Sequence, residues 1–161
     1  MTATAAERTG KTGKTILIGQ SGAGKTTLIQ RLGGADWPYK KTMTVEQVGA
    51  FIDTPGEYIE HRGYYKALIV TAADADRIGL VQACGENGDW LPPAFAAAFA
   101  KPVFGIITKT DLAEGDHGRA GAAAVLARAG ADPIFEVSAL TGAGLERLAN
   151  WLCRKEASGN G

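Results

Sequence analysis

Thr15-Ile16-Leu17-Ile18-Gly19-Gln20-Ser21-Gly22-Ala23-Gly24-Lys25-Thr26-Thr27-Leu28 is the stretch whose reading decides the fold. The short run Thr15 to Ile18 reads as a buried strand, and Leu28, Ile29 and Leu32 follow at helical spacing. Between them GQSGAGKT (19–26) fits G-x-x-x-x-G-K-[ST]. Glycines at that spacing let the backbone wrap closely, so that inward N–H groups form an anion cradle at the positive end of the next helix. The expected phosphate contacts are Gly19, Gln20, Ser21, Gly22, Ala23, Gly24, Lys25, Thr26 and Thr27. Within them, Lys25 reaches the β- and γ-phosphates and the Thr26 hydroxyl ligates Mg²⁺.

Outward from this stretch, short apolar runs alternate with helical patterns, as in a parallel sheet covered on both faces. Ala50 to Asp53, Ile78 to Ala83, Val103 to Thr108 and Ile134 to Val137 read as strands. Tyr64 to Ala73, Arg119 to Ala129 and a last segment carrying Leu145, Leu148 and Leu152 read as helices. Pro92-Pro93 is expected to open an alanine-rich helix through Phe99. Gly33-Gly34 is expected to stop the first helix. Only about 26 residues separate Thr26 from Asp53, which leaves little chain for a switch loop and two full strands. The fold class expected is α/β, a P-loop NTPase of the small GTPase-like, three-layer kind. Its sheet is mainly parallel, with a second strand that is short or absent. The domain is expected over 14–154, between flexible tails at 1–13 and 155–161.

Asp53 ends an apolar strand in DTPG (53–56), where its carboxylate can hold Mg²⁺ through water and the Gly56 N–H faces the γ-phosphate. In isolation Asp-Thr-Pro-Gly is also a plain turn. The loop from 34 to 45 is the first switch, and its threonine completes the magnesium shell. Thr42 and Thr44 both qualify, and Thr42 is favoured because it directly follows Lys40-Lys41. Glu57 stands after DxxG, where Ras-like proteins have the glutamine that orients the attacking water. A carboxylate there can accept from water, yet it also meets the γ-phosphate, and like charges about 4 Å apart repel by a few kcal/mol at intermediate dielectric. Glu57 is therefore a catalytic candidate that implies slow turnover, beside Lys25, Thr42 and Gly56. His61 and Arg62 lie in the second switch, where Arg62 is either a transition-state cation or a solvent-facing residue.

Thr108-Lys109-Thr110-Asp111 ends a strand and fits [NT]-K-x-D. Asp111 accepts from guanine N1–H and the exocyclic amine, while the Lys109 stem packs over the ring. Adenine lacks both donors and leaves the carboxylate unpaired, at a cost of about 1–3 kcal/mol. Ser138-Ala139 supply the loop whose Ala139 N–H meets guanine O6. The expected ligands are thus GTP or GDP and Mg²⁺, with Thr26, Thr42 and Asp53 as the metal-binding residues.

The chain has 161 residues, 45% of them hydrophobic, with 17 basic and 17 acidic side chains. That balance leaves no electrostatic footprint for nucleic acid or an anionic membrane. No apolar run approaches the roughly 20 residues that cross a bilayer, and the start lacks a secretory signal's apolar stretch. Cys84 and Cys153 match no metal spacing and read as reduced thiols. The expected location is cytoplasmic. Trp37, Trp90 and Trp151 read as packing residues, His117 as an exposed loop residue, and Asp74-Ala75-Asp76 as a helix end leading into a strand.

With these blocks in place, the chain resembles the bacterial EutP/PduV family of ethanolamine- and propanediol-utilisation proteins, from about Thr15 to Cys153. The particular strings are LIGQSGAGKTTLIQRL (17–32), YKKT (39–42), FIDTPGEY (51–58), ALIVTAADAD (67–76) and KPVFGIITKTDL (101–112). The resemblance implies a P-loop GTPase domain close to Era-like members, acting beside a catabolic bacterial microcompartment with a shell or cargo protein as partner. It also carries a rival activity, phosphate transfer between ATP and acetate. A third reading is a non-catalytic docking module that uses nucleotide only for folding or capture.

Overall fold

Strands covered on both faces by crossover helices are mostly apolar, and β1 (Thr15–Ile18), β3 (Phe51–Asp53), β4 (Arg77–Ala83) and β5 (Val103–Thr108) are buried at every position. The computed structural model describes residues 13–33, 46–48, 51–112 and 117–152. With β2 (Glu46–Val48) and β6 (Ile134–Glu136) the strands form a six-stranded sheet of order β2-β3-β1-β4-β5-β6. Every pairing is parallel except β2 with β3. The second strand is short, Glu46–Val48, one of the two outcomes, short or absent, that the tight spacing between Thr26 and Asp53 allowed.

Alternation along the strands divides the core. Leu17, Val81, Phe104 and Ile106 meet Leu28, Ile29 and Leu32 of α1 (Lys25–Gly33) and Leu148, Ala149 and Leu152 of α5 (Leu145–Leu152). On the other face Ile16, Ile18, Ile78, Leu80 and Ile107 meet Leu68 and Ala72 of α3 (Tyr65–Ala72) and Ala122 and Leu126 of α4 (His117–Ala129). The result is three layers, helix on sheet on helix. A short helix α2 (Glu57–Glu60) and a 3₁₀ turn at Arg62–Tyr64 lead from β3 into α3. The Asp74 to Asp76 segment links α3 to β4, and there the Asp76 carboxylate accepts from the Lys14 N–H at 2.7 Å.

Two expectations need correction. The stretch from Pro92 to Phe99 forms only a 3₁₀ turn at Phe95–Ala98, entered through Ala94 with φ +60°. Alanine's helix propensity is a weak prior. Here buried Phe95 is fixed edge-on against Phe99 and Tyr65, with centroids 5.2 and 5.9 Å away, and these anchors set the local path. His117 is not in a loop: it opens α4. Thr42, Thr44, Lys40, Lys41, Trp37, Cys153 and both expected tails up to residue 12 and from 155 lie outside the described residues. Cys84 is buried as a free thiol, and burial pushes its pKa up.

Trp151 packs on Phe104 and Phe135, with the Arg77 guanidinium 5.6 Å from its ring. Trp90 is buried, and its indole N–H donates to the Gln82 carbonyl at 2.6 Å. Gln82 in turn donates to the Glu86 carbonyl at 2.9 Å, so one buried amide pins the loop after β4. Trp90→Phe removes that donor from a buried acceptor and is expected to cost about 1–3 kcal/mol. Thermal denaturation checks this, at about 2–4 °C of Tm per kcal/mol for a chain of this size. An unchanged Tm would show that water replaces the indole at no cost.

Candidate functional site

Parallel strands place their C-terminal ends along one edge, and all four sequence blocks emerge there, after β1, β3, β5 and β6. The β1 block turns at Gly22 and Gly24, whose φ values of +81° and +97° a side chain would strain. Lys25 then opens α1 with 6% of its surface exposed. Its ammonium donates to the carbonyls of Gly19 at 2.7 Å and Gln20 at 3.0 Å. Burial lowers its pKa from 10.5 to about 8, and the nearby charges of Asp53 and Glu60 oppose that shift. The group is thus a cation at neutral pH, stripped of most water and held inside the loop that surrounds it.

Beside it the Thr26 hydroxyl donates to Asp53 Oδ2 at 2.5 Å. Asp53 is 2% exposed, held at the end of β3 next to Leu17 of β1. The adjoining Thr54 hydroxyl donates to the Leu17 carbonyl at 2.8 Å, which fixes the DTPG turn to the first strand. A hydroxyl and a carboxylate in contact are a hard oxygen donor pair of the kind Mg²⁺ accepts while keeping several waters. No cluster of three or more His, Cys, Asp or Glu residues is found among the described residues.

Gly56 is pressed against the phosphate loop: a Cβ there would stand 2.0 Å from the Ser21 nitrogen. Only glycine allows DTPG to close on that loop. Glu57 is the first residue of α2 and is half-buried. One turn later, Glu60 accepts from the Ser21 N–H through Oε1 at 2.9 Å. Glu60 carries no motif signal of its own, although the three-residue spacing in EYIE puts it and Glu57 on neighbouring sides of one turn. Arg62 is exposed in the 3₁₀ turn that follows.

The TKTD block (108–111) is bolted to the GQSGAGKT loop. The Thr108 hydroxyl donates to the Ala23 carbonyl at 2.5 Å, and the Lys109 ammonium donates to the Gly22 carbonyl at 2.6 Å. Lys109 adopts φ +58°, a left-handed conformation that costs a non-glycine residue about 1 kcal/mol or more. The strain turns its stem across the glycine loop. Thr110 donates to the Val137 carbonyl at 3.1 Å, and buried Ser138 donates to Asp111 Oδ1 at 2.6 Å. Asp111 itself stays exposed. The Ser138 loop is closed by its own bonds, Gly142 N–H to the Ser138 carbonyl at 2.8 Å and Ser138 N–H to the Ala143 carbonyl at 2.9 Å. Ala139 stands half-buried at its turn.

Open grooves of about 720 and 640 Å³ flank the edge strand β6, one against Phe135 and Trp151 and one against Arg119 and Glu136. Neither is lined by the loop from 19 to 26, so the chemistry at the strand ends is recognised from its donors and acceptors rather than from concavity. Among the described residues no helix is long and apolar enough to cross a membrane.

The family model of PduV-EutP, described as ethanolamine utilisation and propanediol utilisation, matches residues 12–154. The propanediol utilization protein PduV of Citrobacter freundii is 39% identical over 145 residues, covering 89% of this chain and 95% of that protein. Proteins named "probable acetate kinase EutP" are 35% identical in Salmonella typhimurium and 33% in Escherichia coli. Each match runs over 138 residues, 84% of this chain and 86% of the relative. Among solved structures, a bacterial selenocysteine-specific elongation factor, EF-Sec, superposes with a TM-score of 0.66 at 22% identity. That match covers 92% of this chain and 29% of the elongation factor, and it shows the GTPase-like fold.

Proposed function

The chain belongs to the PduV-EutP family of ethanolamine- and propanediol-utilisation proteins, and from that premise we propose that it is a small Mg²⁺-dependent guanine-nucleotide-binding protein that hydrolyses GTP slowly. Its setting is the cytoplasm beside a bacterial microcompartment, with a shell or cargo protein as partner. The observation that carries this reading is the Lys109 bond to Gly22 together with the Ser138 bond to Asp111. A carboxylate for the base and a cradle for the phosphates are thereby held as one rigid unit.

In hydrolysis, a water oxygen attacks the γ-phosphorus in line with the bond to the β–γ bridging oxygen. That P–O bond breaks as the new one forms, and the water's protons pass to the phosphate and to solvent. Lys25 supplies fixed positive charge against the phosphate oxygens, and the loop N–H groups from 19 to 26 donate to the same charge. Gly56 brings a further N–H against the Ser21 side of the loop. Thr26 and Asp53 would hold Mg²⁺, with Thr42 of the first switch as the proposed third contributor. When bound, the ion neutralises charge on the β- and γ-oxygens. Glu57 puts a carboxyl group where a neutral side chain would orient water better, and slow turnover is the expected consequence.

A second reading, phosphate transfer between ATP and acetate, draws on the printed name of the EutP relatives. An adenine base gives Asp111 no donor pair, which weighs against ATP at this site. The deciding experiment incubates purified full chain with Mg²⁺ and GTP or ATP, with and without acetate, and resolves free phosphate from acetyl phosphate. The expected product is acetate-independent phosphate from GTP. Acetyl phosphate made from ATP would replace this proposal with the kinase, and nucleotide-dependent partner capture without turnover would replace it with a docking module.

A further inference from the structure

The Glu60 carboxylate stands on the phosphate loop itself. Its Oε1 accepts from the Ser21 N–H at 2.9 Å, across 39 residues of sequence. A carboxylate on a backbone N–H makes a charge-assisted hydrogen bond, shorter and stronger than a neutral one. The contact is built: α2 is anchored by Ile59, 2% exposed, and by N–H bonds of Ile59 and Glu60 to the Gly56 carbonyl at 3.2 Å. Tyr58 stacks on Tyr64 with centroids 5.1 Å apart, holding the turn that follows. Gly56 packs so near that a Cβ on it would collide with the same Ser21 nitrogen. The Lys25 ammonium, bonded to the Gly19 and Gln20 carbonyls, also feels the Glu60 charge.

We infer that Glu60 is a specificity-determining residue that occupies the terminal-phosphate side of the cradle and sets the preference for diphosphate over triphosphate. This rests on the reading of the site as one for a nucleoside triphosphate. A γ-phosphate brought beside Ser21, Gly56 and Lys25 meets a carboxylate already bonded there, and like charges at contact distance repel. A diphosphate ends short of that position and leaves the contact in place. Because Glu60 is exposed, its side chain can swing into water, so triphosphate entry breaks the one hydrogen bond that ties Glu60 of α2 to the phosphate loop. The docked carboxylate thus couples the nucleotide state to the second switch.

Affinity for a ligand that needs the undocked form falls in proportion to the fraction undocked, so docking in about nine molecules of ten weakens triphosphate binding about tenfold. The test titrates the full chain, Glu60→Gln and Glu60→Ala with fluorescent GDP and a fluorescent non-hydrolysable GTP analogue in Mg²⁺. Both variants are expected to bind the triphosphate about tenfold more tightly, with GDP affinity changed by less than about twofold. Equal changes for both nucleotides, or none, would overturn the role of Glu60 while leaving the guanine site standing. Failure of the wild-type chain to bind either guanine nucleotide would instead overturn the guanine reading. The same titrations with ADP and a non-hydrolysable ATP analogue then decide Glu60 by the same ratio.

Discussion

Replacing Lys25 with alanine is expected to lower GTP turnover about a hundredfold or more, the usual scale for removing a preorganised charge from a phosphoryl or oxyanion site. The ammonium is already in place, bonded to the carbonyls of Gly19 and Gln20 and nearly free of solvent. No reorganisation is needed when charge develops on the phosphate, and that is why such a group acts strongly. Phosphate release at saturating and limiting GTP measures the effect, and unchanged turnover would remove the site assignment. The same residue carries a stability signature in the ligand-free chain. Burial pushes its pKa down to about 8 in the folded state, against 10.5 for a solvated lysine. Between those values the unfolded chain binds more protons, so stability rises with pH across that window and the cost of the buried charge is full below about pH 8. That cost is on the order of 3 kcal/mol. Lys25→Met removes the charge and keeps most of the packing. Its advantage over wild type in denaturant midpoint should therefore be largest at neutral pH and shrink above pH 8. Catalysis and stability then move in opposite directions at one residue, as expected where a site holds charge in readiness.

What could be read from the chain, and what could not, divides by the range of the interactions. Val103 to Thr108 is a strand end to end because its apolar run is continuous and bounded by Pro102 and Lys109. The three-layer architecture followed from the alternation of such runs with helical spacing, whereas counting the chain left before Asp53 said only that the second strand is short or absent, and β2 is short. The stretch after Pro92 misled, because propensity is local whereas Phe95 answers to Tyr65, thirty residues away. Glu60 was passed over for a like reason. Nothing near it in sequence announces a partner at Ser21. The left-handed backbone of Lys109 is equally silent in the sequence, since residue type there argues against the conformation that accompanies its contact with Gly22.

Asp111→Asn is expected to exchange guanine preference for xanthine, and the reason lies in Ser138. Its buried hydroxyl donates to Asp111 Oδ1 at 2.6 Å. An asparagine at 111 has one carbonyl oxygen to receive that bond, so its amide nitrogen is turned toward the base. Guanine then presents its N1–H and amine to a donor instead of an acceptor, whereas xanthine offers a carbonyl at the amine position. Misplacing one buried donor–acceptor pair costs about 1–3 kcal/mol, or roughly ten- to a hundredfold in GTP affinity. A comparable gain for XTP makes the selectivity change larger than either affinity change. Asp111 is exposed and the replacement conserves volume, so the melting temperature should stay with wild type and the effect be one of recognition. Competition between GTP and XTP for the variant reads it directly. Retained guanine selectivity would mean that the base contacts some other group, and the Lys109 and Ser138 bonds would then describe only how the loops are held together.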